Sequence, residues 1–362
     1  MPSGGPATEA PDYRYFDLAC SHHELGYELG SVDPPFRAQS WWAPPPDAAY
    51  ADECARVVME IHPPLMDELG GYAEAQRQNA QTVWRACCRV NLKARIRASS
   101  GAIVDGPGEG CSTFWWRGAN YTIAGRNYDY SRSQARRQRI RFRPAGQAGI
   151  ASIGARGSVP CGRYDGVNAR GLWISLHVVM TDTPGTGETP PGVPFHLVGR
   201  LALELCGSAR EARDLLLRIP HLSSLCYLVA DANEAFVIEA DPRRVRALDP
   251  ALAGDEGSVS VTNHYRHPEM RPLQALRALE HSQRRCAYLQ RGPGPDASWP
   301  EAQAAALASL SDHNIPVCGR AGWMETLWSA VADLRNGRIW YAAGPPDVTH
   351  FEAIPPITSG IR

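Results

Sequence analysis

The chain has 362 residues, and its 37 lysines and arginines nearly balance its 38 aspartates and glutamates, giving a formal net charge of -1. This balance produces no overall field that would attract nucleic acid or an anionic membrane surface. The first residues lack a basic stretch followed by an apolar run, and no segment is long and apolar enough to cross a bilayer. We therefore expect a globular cytoplasmic protein that binds neither nucleic acid nor membranes.

The first hundred residues show the apolar spacing of helices. Ser21 and Glu24 form a capping-box pattern that predicts the start of a short helix, and Gly26 and Gly30 follow on one face of it. Apolar residues at three- and four-residue spacing predict three further helices, over 47–61, 64–76 and 80–98. This segment is therefore predicted to be mostly helical.

The pattern changes at the stretch "DGPGEGCSTFWWRG". Glycine-rich sequence runs up to Gly110, and Cys111 then opens a run of β-branched and aromatic residues. Two strands joined by a turn at 118–120 are predicted here. Further strands are predicted over 139–144, 149–154 and 171–180.

The second half mixes helices and hairpins. Ser208 and Glu211 form a second capping-box pattern. Turns are predicted at Ala232–Glu234 and at Asn336–Gly337, each between two strands. The remaining predicted elements are helices over 194–206, 208–219, 271–290 and 300–310 and a strand over 258–265. Together these elements predict one α+β domain.

The ten cysteines are scattered, and none forms a CxxC pair, so we expect buried thiols and no disulfide framework. Cys111 differs from the others in its context. It leads into a strand, whereas a papain-type nucleophile lies at a helix N-terminus that lowers the thiol pKa. Cleavage of the chain just before a cysteine would free an α-amino group that can act as the base for its own thiol. A buried structural cysteine is the alternative interpretation.

Six motifs in order resemble one family. They are "EGCST" at 109–113, "AGRNYDYS" at 124–131, "DGVNARGL" at 165–172, "YLVADANEAFVIEAD" at 227–241, "VTNHY" at 261–265 and "HSQRRCAYL" at 281–289. The chain resembles the autoproteolytic acyl-coenzyme A:6-aminopenicillanate acyltransferases, a branch of the N-terminal nucleophile hydrolases related to choloylglycine hydrolases and penicillin V acylase. The front segment and the tail "LSDHNIPVC" extend the resemblance over nearly the whole chain.

The resemblance implies an αββα four-layer sandwich and self-cleavage between Gly110 and Cys111. Residues 1–110 would then form a helical pro-segment that stays as a small subunit, and 111–362 would form the catalytic subunit. It also implies acyl transfer from a small linear amide or acyl thioester to water or an amine. This chemistry requires no metal and no organic cofactor.

The resemblance also implies roles for five residues. Cys111 matches the nucleophile. Arg126 and Asp129 match a pair beside it, in which the guanidinium favours thiolate and the carboxylate orients the free amino group. Asn263 matches the amide that donates into the oxyanion hole, and Arg285 matches an arginine that supports the site. For Arg126 and Asp129 the alternative is a simple structural contact, and for Arg285 it is a solvated helix arginine.

Several other polar residues are interpreted as structural. His264 follows Asn263, so on a strand it should point to the opposite face. Asn168 is interpreted as a turn residue in left-handed backbone. His22 and His23 with Cys20 lack a second ligand pair at metal spacing. His177 stands where relatives often carry an asparagine, which leaves that side of the site open.

The substrate is predicted only by class. Arg139, Arg141 and Arg143 share one strand face, which is either solvated or a basic rim for a substrate carboxylate or phosphate. With Trp115 and Trp116 they motivate the hypothesis of a small amide carrying a carboxylate or amine, in secondary metabolism.

Two other classes of protein stay open. An unprocessed thiol hydrolase would pair Cys111 with His264 or His313 and would be active as one chain. A catalytically silent relative would act as a binding or scaffold protein.

Overall fold

The computed structural model describes residues 12–36, 47–88, 110–132, 136–146, 148–157, 159–181, 189–255, 257–274, 279–315, 317–320, 324–355 and 357. The strands are β1 (Asp12–Cys20), β2 (Ser112–Arg117), β3 (Thr122–Ser131), β4 (Arg136–Pro144), β5 (Ser152–Arg156), β6 (Asp165–Asn168), β7 (Trp173–Val178), β8 (Leu225–Ala230), β9 (Ala235–Asp241), β10 (Arg244–Ala247), β11 (Ser258–Val261), β12 (Met324–Asp333), β13 (Arg338–Ala342) and β14 (Phe351–Ile354). The helices are α1 (His22–Val32), α2 (Ala48–Ile61), α3 (Pro64–Ala75), α4 (80–88), α5 (Phe195–Leu205), α6 (Ala209–Arg218), α7 (Pro250–Ala253), α8 (Leu279–Leu289) and α9 (Trp299–Leu310), with a 3-10 turn at Arg271–Leu273.

Within these residues the strands form two sheets. One has eight strands in the order β1-β4-β5-β6-β7-β8-β9-β10, and the other has six in the order β11-β2-β3-β12-β13-β14. Neighbouring strands run antiparallel, apart from the parallel pair of β1 and β4. Both sheets are built mainly from hairpins and short connections, as expected for antiparallel pairing.

The two sheets face each other, and helices cover both outer faces. Asp165 on β6 accepts hydrogen bonds from Trp328 on β12 (2.7 Å) and from Tyr341 on β13 (3.2 Å), so polar contacts join the sheets as well as apolar ones. Helices α5 and α6 pack on the eight-stranded sheet, and α8 and α9 pack on the six-stranded one. The predicted αββα sandwich is therefore confirmed.

Alternation along β2 decides which side chains face the space between the sheets. Thr113 and Trp115 point toward the eight-stranded sheet. Phe114 and Trp116 point the other way and pack with α8 and α9 in a separate apolar cluster. The strand that follows Cys111 is thus buried on both faces.

In the N-terminal segment, α1 and α3 pack at glycine contacts. Ser21 caps α1, and Glu24 completes the capping box as predicted. A Cβ built at Gly26 would lie 1.9 Å from the Glu68 carbonyl oxygen, and one at Gly71 would lie 1.9 Å from the His23 carbonyl oxygen. Only glycine allows the two backbones to approach this closely.

Most predicted elements are confirmed, including the hairpins whose turns contain Ala232–Glu234 and Asn336–Gly337. Ser208 caps α6, although the Glu211 carboxylate accepts from the Gly207 N–H. Of the helix predicted over 80–98, only 80–88 falls in the described residues. In the helix predicted over 271–290, residues 275–278 lie outside the described residues. The first part of the prediction is wrong, because Arg271–Leu273 form a 3-10 turn and Gln274 is extended, and the last part is confirmed as α8.

Four strands were not predicted, namely β1, β6, β10 and β14. The first is β1, which adds a strand to the mostly helical front segment. The second is β6, which ends at Asn168. The prediction of left-handed backbone there is wrong, because Gly171 takes the positive φ of this turn. Asn168 instead fixes the turn by side-chain hydrogen bonds, accepting from the backbone N–H groups of Arg170 and Leu172.

All ten cysteines are free, nine of them are buried and Cys20 is half-buried, as predicted. Among the described residues, no helix has the length and apolar character needed to cross a membrane.

Candidate active site

Cys111 lies directly before β2, between β11 and β3 in the six-stranded sheet, and only 4% of its surface is exposed. Gly110 is also buried. Burial raises the pKa of the Cys111 thiol, and the Arg126 guanidinium and Asp129 N–H oppose that effect. The thiol therefore needs a nearby group to take its proton.

Arg126 on β3 is the cation beside the thiol. Its Nη2 atom lies 3.6 Å from Cys111 Sγ and donates to the Leu176 carbonyl oxygen at 2.9 Å. Its Nη1 atom lies 3.3 Å from Asp165 Oδ2 and also donates to the Tyr164 carbonyl oxygen. The Asp165 carboxylate and two carbonyl groups thus hold a fully buried guanidinium against the sulfur.

Asp129, also on β3, is a buried carboxylate with one hydroxyl partner. Thr326 Oγ1 donates to Asp129 Oδ1 at 2.6 Å. Burial raises the pKa of Asp129 to about 7, while the Thr326 hydrogen bond and the charges of Arg285 and Arg126 act in the opposite direction. Near neutral pH this carboxyl can therefore both accept and donate a proton.

Two glycines make room for the Asp129 carboxylate. A Cβ at Gly110 would lie 2.7 Å from Asp129 Oδ2, and a Cβ at Gly319 would lie 3.0 Å from the same atom. The carboxylate therefore packs directly against the backbone of the residue that precedes Cys111. This contact gives a packing reason for glycine at position 110.

Arg285 on α8 binds the peptide groups on both sides of Cys111. Its Nη1 atom lies 2.9 Å from the Gly110 carbonyl oxygen, 2.8 Å from the Cys111 carbonyl oxygen and 2.6 Å from Ser112 Oγ. The side chain is buried, so the alternative of a solvated helix arginine is wrong.

Asn263 joins the same network through Arg285. Its Oδ1 atom accepts from Arg285 Nη2 at 3.1 Å, and its Nδ2 atom donates to the Val178 carbonyl oxygen at 2.9 Å. The amide carries two N–H donors, so one remains beyond the Val178 bond. The structure thus brings together all five predicted site residues.

Three partners in this network were not predicted. Asp165 pairs with Arg126, Thr326 holds Asp129, and the Ser112 hydroxyl accepts from Arg285. Asp165 lies in the motif at 165–172, and Ser112 lies in the motif at 109–113. A buried arginine requires a carboxylate or several carbonyl groups as partners. This requirement was the signal in the sequence for a carboxylate partner of Arg126. It does not identify which of the 38 acidic residues is that partner.

The histidines considered as partners of Cys111 have other contacts. The His264 ring bonds with Ser282 Oγ at 2.8 Å, and the His313 ring bonds with Asp347 at 2.9 Å. Burial lowers the pKa of His264 to about 3, so its ring is neutral. The strand-alternation argument for His264 is wrong because β11 ends at Val261, but its structural role stands. These contacts do not favour a Cys-His hydrolase.

His177 on β7 lies across from the nucleophile strand. Its Nε2 atom is 2.8 Å from Thr113 Oγ1, and its Nδ1 atom is 3.3 Å from the Cys226 carbonyl oxygen. Burial, together with the Arg126 charge, holds the pKa of His177 well below its usual range. A neutral His177 therefore fixes β2 against the opposite sheet.

The three arginines that suggested a charged substrate form ion pairs within the protein. Arg139 pairs with Glu352, and Arg141 and Arg143 both pair with Asp17. The interpretation of these arginines as a free basic rim is therefore wrong.

The two tryptophans near the nucleophile are also structural. The Trp115 indole donates to the Asp231 carbonyl oxygen, and the Trp116 indole donates to the Leu289 carbonyl oxygen. Trp116 also stacks on Phe114, on the side of β2 that faces the helices. The link between these rings and a charged substrate is therefore not supported.

Two clusters of potential metal ligands occur in the described residues. His22, His62 and Glu204 form a buried one, so the pairing of His22 with His23 and Cys20 considered from the sequence is not the arrangement found. His313, Cys318 and Asp347 form a second cluster nearer the surface.

The fold and the site define an αββα sandwich with a cysteine before a central strand and a buried Arg-Asp-Arg-Asn network around it. The family model described as acyl-coenzyme A:6-aminopenicillanic acid acyl-transferase matches residues 116–347, and this chain belongs to that family. The matched range includes Arg126, Asp129, Asn263 and Arg285 and begins five residues after Cys111.

A curated relative, the acyl-coenzyme A:6-aminopenicillanic-acid-acyltransferase 40 kDa form of Emericella nidulans, is 23% identical over 218 residues. The match covers 59% of this chain and 55% of the relative, about half of its length. Among solved structures, a Caenorhabditis elegans N-acylethanolamine-hydrolyzing acid amidase ortholog is 17% identical with a TM-score of 0.44, covering 68% of this chain and all of that one. Penicillin V acylase from Agrobacterium tumefaciens is 17% identical with a TM-score of 0.44, covering 64% and 83% of the two chains.

Proposed function

We propose that this protein is a cysteine N-terminal nucleophile amidohydrolase or acyltransferase that activates itself by cleaving the Gly110–Cys111 bond. The observation that carries the proposal is the 2.9 Å contact between Arg285 Nη1 and the Gly110 carbonyl oxygen. A buried cation thus faces the carbonyl group that precedes the thiol. Family membership supports the same chemistry.

Self-cleavage begins with attack of Cys111 Sγ on the Gly110 carbonyl carbon. Negative charge develops on the carbonyl oxygen, where Arg285 stabilises it. Asp129, with its pKa of about 7, takes the thiol proton and returns it to the Cys111 nitrogen as the C–N bond breaks. The product is a thioester, and water then adds its hydroxyl to the Gly110 carbonyl and its proton to sulfur. Gly110 ends as a carboxylate, and Cys111 gains a free amino group.

Turnover uses the new amino group as base for the Cys111 thiol. The thiolate, favoured by Arg126, attacks the substrate acyl carbon. We assign the second N–H of Asn263 to the oxyanion of this step, and Arg285 orients that amide through Oδ1. The thioester acyl-enzyme then passes its acyl group to water or to an amine, which regenerates the thiol.

The cleaved N-terminal fragment stays bound as a small subunit in this proposal. Two buried polar networks join 1–110 to 111–362, one at Arg156 and one in which Arg200 also binds Glu204. Asp33 pairs with Arg156 at 2.7 Å, and Glu68 pairs with Arg200 at 2.6 Å. Glu204 accepts from both His22 and His62. Separating the fragments would leave these charges unpaired, which is costly for buried groups.

We propose a small linear amide or acyl thioester as substrate. The curated relative is named for an acyl-coenzyme A, which is an acyl thioester, and for 6-aminopenicillanic acid, which is a small amine. A role in secondary metabolism stays a prediction. Ten free thiols support a reducing compartment such as the cytoplasm.

The test combines labelling with turnover. Purified protein is treated with limiting iodoacetamide, the alkylated cysteines are mapped by peptide mass, and a panel of N-acyl amines and acyl thioesters is assayed. We expect selective alkylation of Cys111 over the nine other cysteines and loss of all turnover in Cys111→Ala. Cys226→Ala, at another buried thiol, is the matched control. Unselective labelling without turnover would favour the silent scaffold, and full turnover in Cys111→Ala would exclude this nucleophile.

A further inference from the structure

A cluster of three different ligand types lies in two loops that follow α9 and β13. His313, Cys318 and Asp347 place their ligand atoms within 4.8 Å of one another. His313 Nε2 is 2.9 Å from Asp347 Oδ2, and Cys318 Sγ is 3.5 Å from Asp347 Oδ1. None of these three residues has a role in the proposed chemistry at Cys111.

We propose that His313, Cys318 and Asp347 form a zinc-binding site. Imidazole, thiolate and carboxylate are the three side-chain ligands that Zn²⁺ uses. With ordinary zinc bond lengths, a tetrahedral site separates its ligand atoms by about 3.4 to 3.6 Å. The 3.5 Å contact already fits this separation, the 2.9 Å contact must lengthen, and all three ligand atoms lie within 4.8 Å of one another. The His313 side chain is 47% exposed, so water can enter as the fourth ligand.

The buried cluster of His22, His62 and Glu204 is less suited to a cation. Both histidines already meet the same oxygen, Glu204 Oε2, at 2.7 and 2.9 Å. Arg200 occupies the other oxygen through its Nε atom at 2.6 Å. A metal ion there would stand against a fixed buried guanidinium, whereas the site at Cys318 opens to solvent.

Two groups compete with zinc at the proposed site. Arg320 Nη2 lies 3.0 Å from Asp347 Oδ1, and its side chain is exposed enough to turn away. The Cys318 thiol donates to the same oxygen. Binding replaces the S–H bond with an S–Zn bond and releases that proton to solvent, so affinity should fall as pH decreases.

The site adjoins the segment that holds Asp129. Gly319, next to Cys318, packs against the Asp129 carboxylate, and its N–H donates to Thr326 Oγ1 at 2.9 Å. The same hydroxyl donates to Asp129. An ion bound to Cys318 would therefore hold the backbone of Gly319 in place against the Asp129 carboxylate.

The test uses full-length protein carrying Cys111→Ala, which removes the aminothiol that could itself bind metal. Zn²⁺ is titrated against a chromophoric chelator, and Co²⁺ is followed by its thiolate charge-transfer absorption. We expect one ion per chain and a cobalt–thiolate band. His313→Ala and Cys318→Ser should each weaken binding by more than the roughly 10- to 100-fold loss typical of an outer-shell partner. Arg320→Ala should tighten binding, because it removes the competing cation.

His23→Ala is the matched control. His23 also pairs with a carboxylate at the surface, Glu74 at 3.2 Å, but without a cysteine. This variant should bind zinc like its parent. Absence of zinc binding in the parent, unchanged binding in both His313→Ala and Cys318→Ser, or loss in His62→Asn instead would overturn the proposal. His313 is half-exposed, so its replacement tests the site without threatening the fold.

Discussion

Arg285 Nη1 lies 2.9 Å from the carbonyl oxygen of Gly110, and both residues are buried. A buried guanidinium is costly unless its donors are satisfied, and here they are satisfied by the peptide groups beside Cys111 and by Asn263. The arginine is thus placed where charge would develop if the Gly110 carbonyl were attacked.

Replacing Arg285 should slow self-cleavage, which is the first step of the proposed mechanism. Loss of one oxyanion donor typically costs about 10²- to 10³-fold in rate, so Arg285→Ala should cleave at least this much more slowly. The fraction of cut chain is followed by intact mass after synthesis. Arg284→Ala removes the exposed neighbour on the same helix and should cleave at the parental rate. Equal cleavage in both variants would remove Arg285 from this step.

Replacing Arg126 should raise the pKa of the Cys111 thiol. The guanidinium lies 3.6 Å from Sγ and favours thiolate, so Arg126→Gln shifts the pH dependence of Cys111 alkylation to higher pH. Iodoacetamide rates over a pH series measure the shift. Arg117→Ala, at an exposed arginine on β2, should leave the profile unchanged. If Arg126→Gln leaves it unchanged too, the guanidinium does not act on the thiol.

The raised pKa of Asp129 predicts how stability changes with pH in the uncut Cys111→Ala protein. Its folded pKa of about 7 lies above the unfolded value of about 3.9. Between these values the folded state binds more protons, so this group makes stability fall as pH rises, by up to about 1.4 kcal/mol per pH unit. Adding Asp129→Asn should remove that contribution. Urea unfolding from pH 4 to 8 compares the two proteins, and parallel curves would contradict the prediction.

The contact of α1 and α3 predicts opposite effects at two adjacent glycines. A Cβ at Gly71 would lie 1.9 Å from the His23 carbonyl oxygen, whereas a Cβ at Gly70 meets nothing within 4 Å. Gly71→Ala should destabilise the protein by about 1 to 3 kcal/mol or more, and Gly70→Ala should stabilise it by up to about 1 kcal/mol. Chemical denaturation of both variants measures this. A similar free energy of unfolding for the two would argue against the close helix contact.

The sequence was sufficient for elements whose signals are local. The Ser21 cap, the glycine face of α1 and the turn at Ala232–Glu234 all depend on residues within one helix turn or hairpin. Strand β1 was missed although Phe16, Leu18 and Cys20 alternate toward an apolar cluster. Its polar neighbours and its parallel pairing with β4, more than a hundred residues away, gave no local signal.

Prediction of the site from the sequence was limited in the same way. Cys111 and its glycine-rich approach were visible, and the resemblance supplied the other four residues. The carboxylate partner of Arg126 and the glycine at 319 that confines Asp129 were not visible. Such contacts join side chains from separate strands and loops, and no periodicity in the sequence specifies which of them will meet.

Self-cleavage at Gly110–Cys111 is the central claim, and intact-mass analysis of the purified wild-type protein tests it most directly. We predict two chains whose masses add up to the precursor plus one water, with the larger chain beginning at Cys111, and one uncut, inactive chain for Cys111→Ala. Cys111→Ser should cleave slowly with little turnover. A wild-type protein that stays uncut and still hydrolyses amides would contradict the mechanism.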